Sequence, residues 1–346
     1  MKKRILALLL ALALALTVFV GCQGGGGDSD DLPVLRVAVM PFYISVPIGF
    51  IIDNEMDIAN GFRIEPIMFP TGAPMNEAIA SDAFDVATIG GAFVFGVANQ
   101  GNRVIANHID GTGGNEIWAF RDSELATVQG HNPDFPNVLG SPETVAGLQL
   151  AQTTGTTSQF LMNHWMEAIG VSDTDVSIVH MDFAQVFQAF RAEQVDVASL
   201  TSPYCFQTDP DTMIRIADLK DLNQNLYEVI AITDRAYNNE EIRELIPTFL
   251  RVLFEANDLL ESCDEIKFEA VRKWYDDNGT SASDDDIRGE MALKPFITTE
   301  VARNSTMGAF EVAFAEFMVQ QELLEPDRVE VVRGNVTSVF LDKALR

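Results

Sequence analysis

The sequence predicts an α/β protein of two lobes, each a doubly wound mixed sheet flanked by helices. Three observations carry this. Strand and helix patterns alternate over Val34–Ile109 and again over Thr144–Tyr204. A polar stretch rich in Pro and Gly, Gln129–Glu143, separates the two runs. The chain has 346 residues, enough to bury two separate cores.

The chain opens on a leader. Lys2, Lys3 and Arg4 precede the Leu- and Ala-rich run Ile5–Val20, which reads as a secretory signal peptide over residues 1–21. Gly21-Cys22 at its end resembles the bacterial lipobox, with Phe19 where Leu is usual. Cleavage there leaves Cys22 as a lipid-bearing first residue. Residues 22–33 then form a tether, because Gln23–Asp31 has no apolar residue to pack.

Val34–Met40 is the first strand of the folded part, followed by a loop through Phe42, Tyr43 and Ile44. A helix runs from Pro47 to Met56, with Pro in its first turn. The pattern continues with a strand over Phe62–Phe69, a helix over Ala73–Ser81 and a strand over Phe84–Ile89 that ends in Gly90-Gly91. A small-residue helix over Ala92–Gln100 and strands over Arg103–Ile109 and Glu116–Arg121 follow. In the second run, strand Leu148–Gln152 leads through Thr153–Ser158 into helix Gln159–Ile169. Helix Phe183–Glu193 carries an apolar stripe of Val186, Phe187 and Phe190, and strand Val195–Leu200 ends at Thr201-Ser202-Pro203-Tyr204. Met213–Ala217 and Tyr227–Thr233 are further strands. From Asn239 on the period is helical, over 240–261, 264–277, 284–292 and 299–322.

Composition excludes several function classes. The net charge is -28, and removing the three leader cations deepens it. The mean field repels nucleic acid and anionic lipid. A small anion is still acceptable, since local N–H groups act at short range and distant charges are screened. His108, His131, His164 and His180 are scattered, and Cys205 and Cys263 are 58 positions apart. No metal-ligand spacing is present, no cofactor is expected, and the two Cys read as free thiols, although the compartment permits a disulfide.

The richest candidate site is the turn Thr153–Ser158. It crowds hydroxyls and Gly155 between a strand and a helix N-terminus, where free N–H groups and the helix dipole favour an anion. Thr154, Thr156, Thr157 and Ser158 are expected to hold an acidic head. Phe42, Tyr43 and Tyr204 are expected to form an apolar wall. The loops at Phe42 and at Gly90-Gly91 also follow strands, so all three are expected to converge on one cleft.

These residues resemble a known family. Ser81–Gly90 (SDAFDVATIG), Ser141–Leu148 (SPETVAGL) and Glu193–Ala198 (EQVDVA) are similar in order and spacing to segments of solute-binding proteins for nitrate, aliphatic sulfonates and taurine. The resemblance implies a type II periplasmic-binding-protein fold that closes like a hinge on its solute. It places the first lobe at 34–117 and 234–346 and the second at 118–233. It also implies an ABC permease as partner, a monomer, no catalysis, and a place on the outer face of the cell membrane. Asn107–Trp118 resembles the taurine-binding members and implies Glu116 as the carboxylate facing a ligand amine. A thiamine-precursor pyrimidine on aromatic walls is the alternative solute. An enzyme of the same fold is a third reading, for which no His/Cys cluster or paired-carboxylate site presents itself.

Overall fold

A computed structural model describes residues 32–346. The expected signal peptide, the expected lipid-bearing Cys22 and the expected tether as far as residue 31 lie outside the described residues.

Two five-stranded mixed sheets form the two lobes. The first contains β1 (Val34–Val39), β2 (Arg63–Met68), β3 (Val86–Ile89), β4 (Arg103–Asp110) and β10 (Tyr227–Ile232) in the order β2-β1-β3-β10-β4. The second contains β5 (Asn115–Phe120), β6 (Gln149–Gln152), β7 (Ser177–His180), β8 (Val197–Thr201) and β9 (Met213–Asp218) in the order β7-β6-β8-β5-β9. β1 is parallel to β2 and β3, and β6 is parallel to β7 and β8. Each parallel set follows from its βαβ connections. Pro66, which has no N–H to give a ladder, sits on edge strand β2.

Each sheet also receives one antiparallel strand exchanged from the other half of the chain. β10 lies between β3 and β4, and β5 lies between β8 and β9. This moves both lobe boundaries from those expected. β5 pairs with β8 from Asn115 onward, so the first crossing is Gly111–Gly114 and not residue 117. β10 belongs to the first sheet, so the return crossing precedes Tyr227 and not residue 234. Glycine is required at the first crossing because the chain runs against a helix end: a Cβ on Gly113 would stand 2.4 Å from the Leu293 carbonyl oxygen.

Most helices fall where their periodicity places them. The long Glu240–Ser262 helix buries Phe249, Leu250, Leu253 and Phe254 against the first lobe. The single helix expected over 299–322 is two, Thr299–Asn304 and Ala309–Gln320, broken ahead of Gly308 at φ 111°. Five short helices were not legible: Met56–Ala59, Pro142–Val145, Asp234–Asn238, Arg328–Gly334 and Val339–Ala344. The Ala309–Gln320 helix bridges the lobes. Its Phe314 and Phe317 pack on Phe160 of the second lobe, with ring centroids 4.8 Å apart in each pair. Cys205 is buried, Cys263 is half-buried, and both are free.

Candidate functional site

The carboxyl ends of the parallel strands of both sheets face one cleft. The residues that follow β1, β3, β6 and β8 all reach the same cavity of about 60 Å3: Met40 and Phe42, Gly90 and Gly91, Thr156 and Thr157, Ser202. Such a volume suits a solute of a few heavy atoms.

One wall is the N-terminus of the Thr157–Ile169 helix. Thr156 is its N-cap, accepting from the Ser158 N–H at 3.2 Å and donating to the Thr153 carbonyl at 2.7 Å. Ser158 Oγ accepts from the Thr153 N–H at 3.0 Å and donates to the Ser199 carbonyl at 3.2 Å. Gly155 takes φ 68°, and its N–H donates to Gln159 Oε1. The turn is therefore locked from behind before any solute arrives. The first-turn N–H groups lack intrahelical acceptors, and together with the helix dipole they make this wall electropositive.

Gly90 faces Thr157 from the first lobe: a Cβ there would lie 3.7 Å from Thr157 Oγ1. Phe42 closes the mouth. It meets Phe183 of the other lobe edge-on at 6.1 Å and 78°.

The floor holds a buried charge cluster. Lys294 is 3% exposed, and its Nζ donates to Glu228 Oε1 at 2.8 Å and to Ser202 Oγ at 3.3 Å. Glu290 Oε1 lies 3.9 Å away and accepts nothing, while Oε2 accepts from the Tyr275 hydroxyl. Burial lowers the Lys294 pKa, but Glu228 and Glu290 reverse this and hold it above its ordinary value. Burial raises the Glu290 carboxyl above the ordinary carboxylate range, against the pull of Lys294. Ser202, Glu228 and Lys294 line the cavity beside Asn115.

Among the residues expected at the site, Phe42, Gly90, Gly91, Thr156 and Thr157 line the cavity. Gly155 and Ser158 support the turn from outside it. Thr154 stands at the exposed rim, its Oγ1 2.6 Å from His180 Nδ1. Tyr204 backs the wall behind Phe42 and packs on Phe187 at 5.4 Å. Two expectations are corrected. Tyr43 is fully buried in the first lobe, stacked on Phe296 at 4.7 Å, because the tight turn over Tyr43–Ser45 points it away from Phe42. Glu116 does not line the cavity. It alternates with Asn115 on β5, and its carboxylate accepts from Trp118 Nε1 at 2.8 Å and sits 3.8 Å from Arg215. Burial raises its pKa, opposed by Trp118.

The family model of the NMT1-like family matches residues 28–273. A putative ABC transporter periplasmic binding protein of Brachyspira hyodysenteriae is 36% identical over 337 residues, covering 97% of each chain.

The chain belongs to the NMT1-like family.

Solved structures show the same type II periplasmic-binding-protein fold. The aliphatic sulphonate binding protein SsuA of Escherichia coli aligns with TM-score 0.65 at 17% identity, over 87% of this chain and 91% of that one. The nitrate-binding protein NrtA of Synechocystis aligns with TM-score 0.68 at 12% identity, over 91% and 88%. In this NMT1-like protein the first crossing lies beside the cavity floor, as Ser202 N–H bonds the Gly114 carbonyl and Lys294 packs on Gly114. Sequence reasoning missed Asn115, Phe183, Ser202, Glu228 and Lys294. Only Lys294 left a faint signal, as one of the few Lys in an acidic chain.

Proposed function

We propose that this protein is the extracytoplasmic solute-binding component of an ABC importer, and that it captures a small acidic solute of the sulfonate or nitrate class between its lobes. The observation that carries the reading is the 60 Å3 cavity with Thr156 and Thr157 of a helix N-terminus on one wall. Preorganised N–H groups meet the acidic head without reorganisation, and the lobes close over it as a hinge. Phe42 and Phe183 then exclude water, which strengthens each polar contact. Closure presents a joined two-lobe face to a permease, and a lipid on Cys22 keeps the protein at the membrane.

A thermal-shift screen of the mature chain without Cys22 tests this. Taurine, alkanesulfonates, nitrate, bicarbonate, amino acids and pyrimidines form the panel. A ligand that binds only the native state raises the midpoint as its concentration exceeds Kd. A shift with a sulfonate or nitrate supports the reading, and a shift confined to pyrimidines overturns it. Cys22→Ala should move the protein out of the membrane fraction, and retention there would remove the anchor.

A further inference from the structure

The floor of the cavity holds a polar group that the protein leaves unused. Glu228, on β10, is 7% exposed and lines the cavity. Its Oε1 accepts from Lys294 Nζ, but Oε2 is buried and has no hydrogen-bond partner. A carboxylate has about four lone-pair sites, and a buried one is normally satisfied. Neither Asn115 nor Ser202 fills the gap: Asn115 Nδ2 donates to the Gly111 carbonyl, and the Ser202 hydroxyl, which accepts from Lys294 Nζ, makes no hydrogen bond to Oε2.

The charges around Glu228 do not oppose a second donor. Lys294 balances Glu228, and Glu290 is pushed toward its neutral form by burial. The cavity therefore has two unlike ends. The Thr157–Ile169 helix N-terminus offers donors, and Glu228 offers a bare acceptor.

We propose that Glu228 accepts a hydrogen bond from the solute itself, so that the bound molecule carries an N–H or O–H donor as well as an acidic head. The small cavity restricts the two groups to a short spacer. An ammonium donor gives the stronger, charge-assisted bond and a hydroxyl the weaker one. The inference deepens the function proposed above and rests on it for the acidic head alone.

Calorimetry with four two-carbon probes tests it: taurine, isethionate, ethanesulfonate and ethylamine. Taurine should bind at least tenfold tighter than ethanesulfonate, and Glu228→Gln should abolish that preference, bringing the ratio of the two affinities to about one. Isethionate matching taurine would assign a hydroxyl donor, and isethionate matching ethanesulfonate an ammonium. Either result supports the inference. Ethanesulfonate binding as tightly as taurine, or taurine unaffected by Glu228→Gln, overturns it and leaves the acidic-head reading intact. Ethylamine binding without any sulfonate would uphold Glu228 and overturn the acidic head. Binding by none of the four overturns both. Glu228→Asp, which keeps the charge but shortens the reach, serves as the second variant. If neither variant folds, the wild-type ratio of taurine to ethanesulfonate decides.

Discussion

Phe42 and Phe183 touch edge to face at 6.1 Å although they belong to different lobes. A hinge opening between the lobes would separate them. Aromatic pairs of this kind contribute roughly 0.5–1.5 kcal/mol beyond the area they bury. Phe42→Ala should therefore release bound solute about fivefold faster or more, with little change in association, as read by stopped-flow fluorescence. An unchanged release rate would mean that the pair does not gate the mouth.

Gly90 and Gly91 should respond differently to the same change. Alanine at Gly91 would bring Cβ within 2.4 Å of the Phe314 ring. Such overpacking costs about 1–3 kcal/mol, so Gly91→Ala should lower the thermal midpoint. At Gly90 the nearest atom is Thr157 Oγ1 at 3.7 Å, an ordinary contact. Gly90→Ala should keep the midpoint and lose affinity, because the new methyl group enters the cavity.

Removing one partner of the buried Lys294–Glu228 pair leaves the other uncompensated. Lys294→Met should destabilise the protein by about 3–5 kcal/mol in urea unfolding. The double change Lys294→Met with Glu228→Gln should recover part of that loss. A double variant no more stable than Lys294→Met would show that the pair is not the unit at stake.

His108 gives a pH dependence. It is fully buried, and burial lowers its pKa from 6.5 to about 3, with Lys294 adding to the shift. Neither ring nitrogen has a hydrogen-bond partner. The unfolded chain therefore binds a proton that the folded one refuses between those values. This group's stabilisation is present above about pH 6.5 and is lost as pH falls toward 3. Glu290 works in the opposite direction, since its raised pKa favours the folded state in acid. His108→Met should flatten the fall of stability below pH 6.5 in denaturant titrations. An unaltered slope would exclude His108 as its source.

Thr157→Ala should weaken binding of a sulfonate by about 1 kcal/mol, whereas the Thr156 hydroxyl already donates to the Thr153 carbonyl and supports the helix end. Thr156→Ala removes the N-cap, at about 1 kcal/mol of stability, so unfolding and binding must be measured together. Unchanged affinity when both are Ala would dismiss the helix end as the seat.

What the sequence determined by itself is local. Short apolar runs such as Val34–Val39 and the hydroxyl-rich turn before the Thr157–Ile169 helix were legible because their signals lie in adjacent residues. The turn also announced its own chemistry, since caps and free N–H groups are set within a few positions. The tertiary structure decided the rest. Glu116 and Asn115 are neighbours on β5, and only the ladder with β8 fixes which of them faces the cleft. Tyr43 and Phe42 are equally aromatic in the sequence, yet one stacks in the core and the other closes the mouth. Glu228 and Lys294 lie 66 positions apart, on a strand exchanged between lobes and at a helix end. Nothing near either residue marks the pairing, because it arises from the crossover of the chain at Gly111–Gly114 and the return into β10.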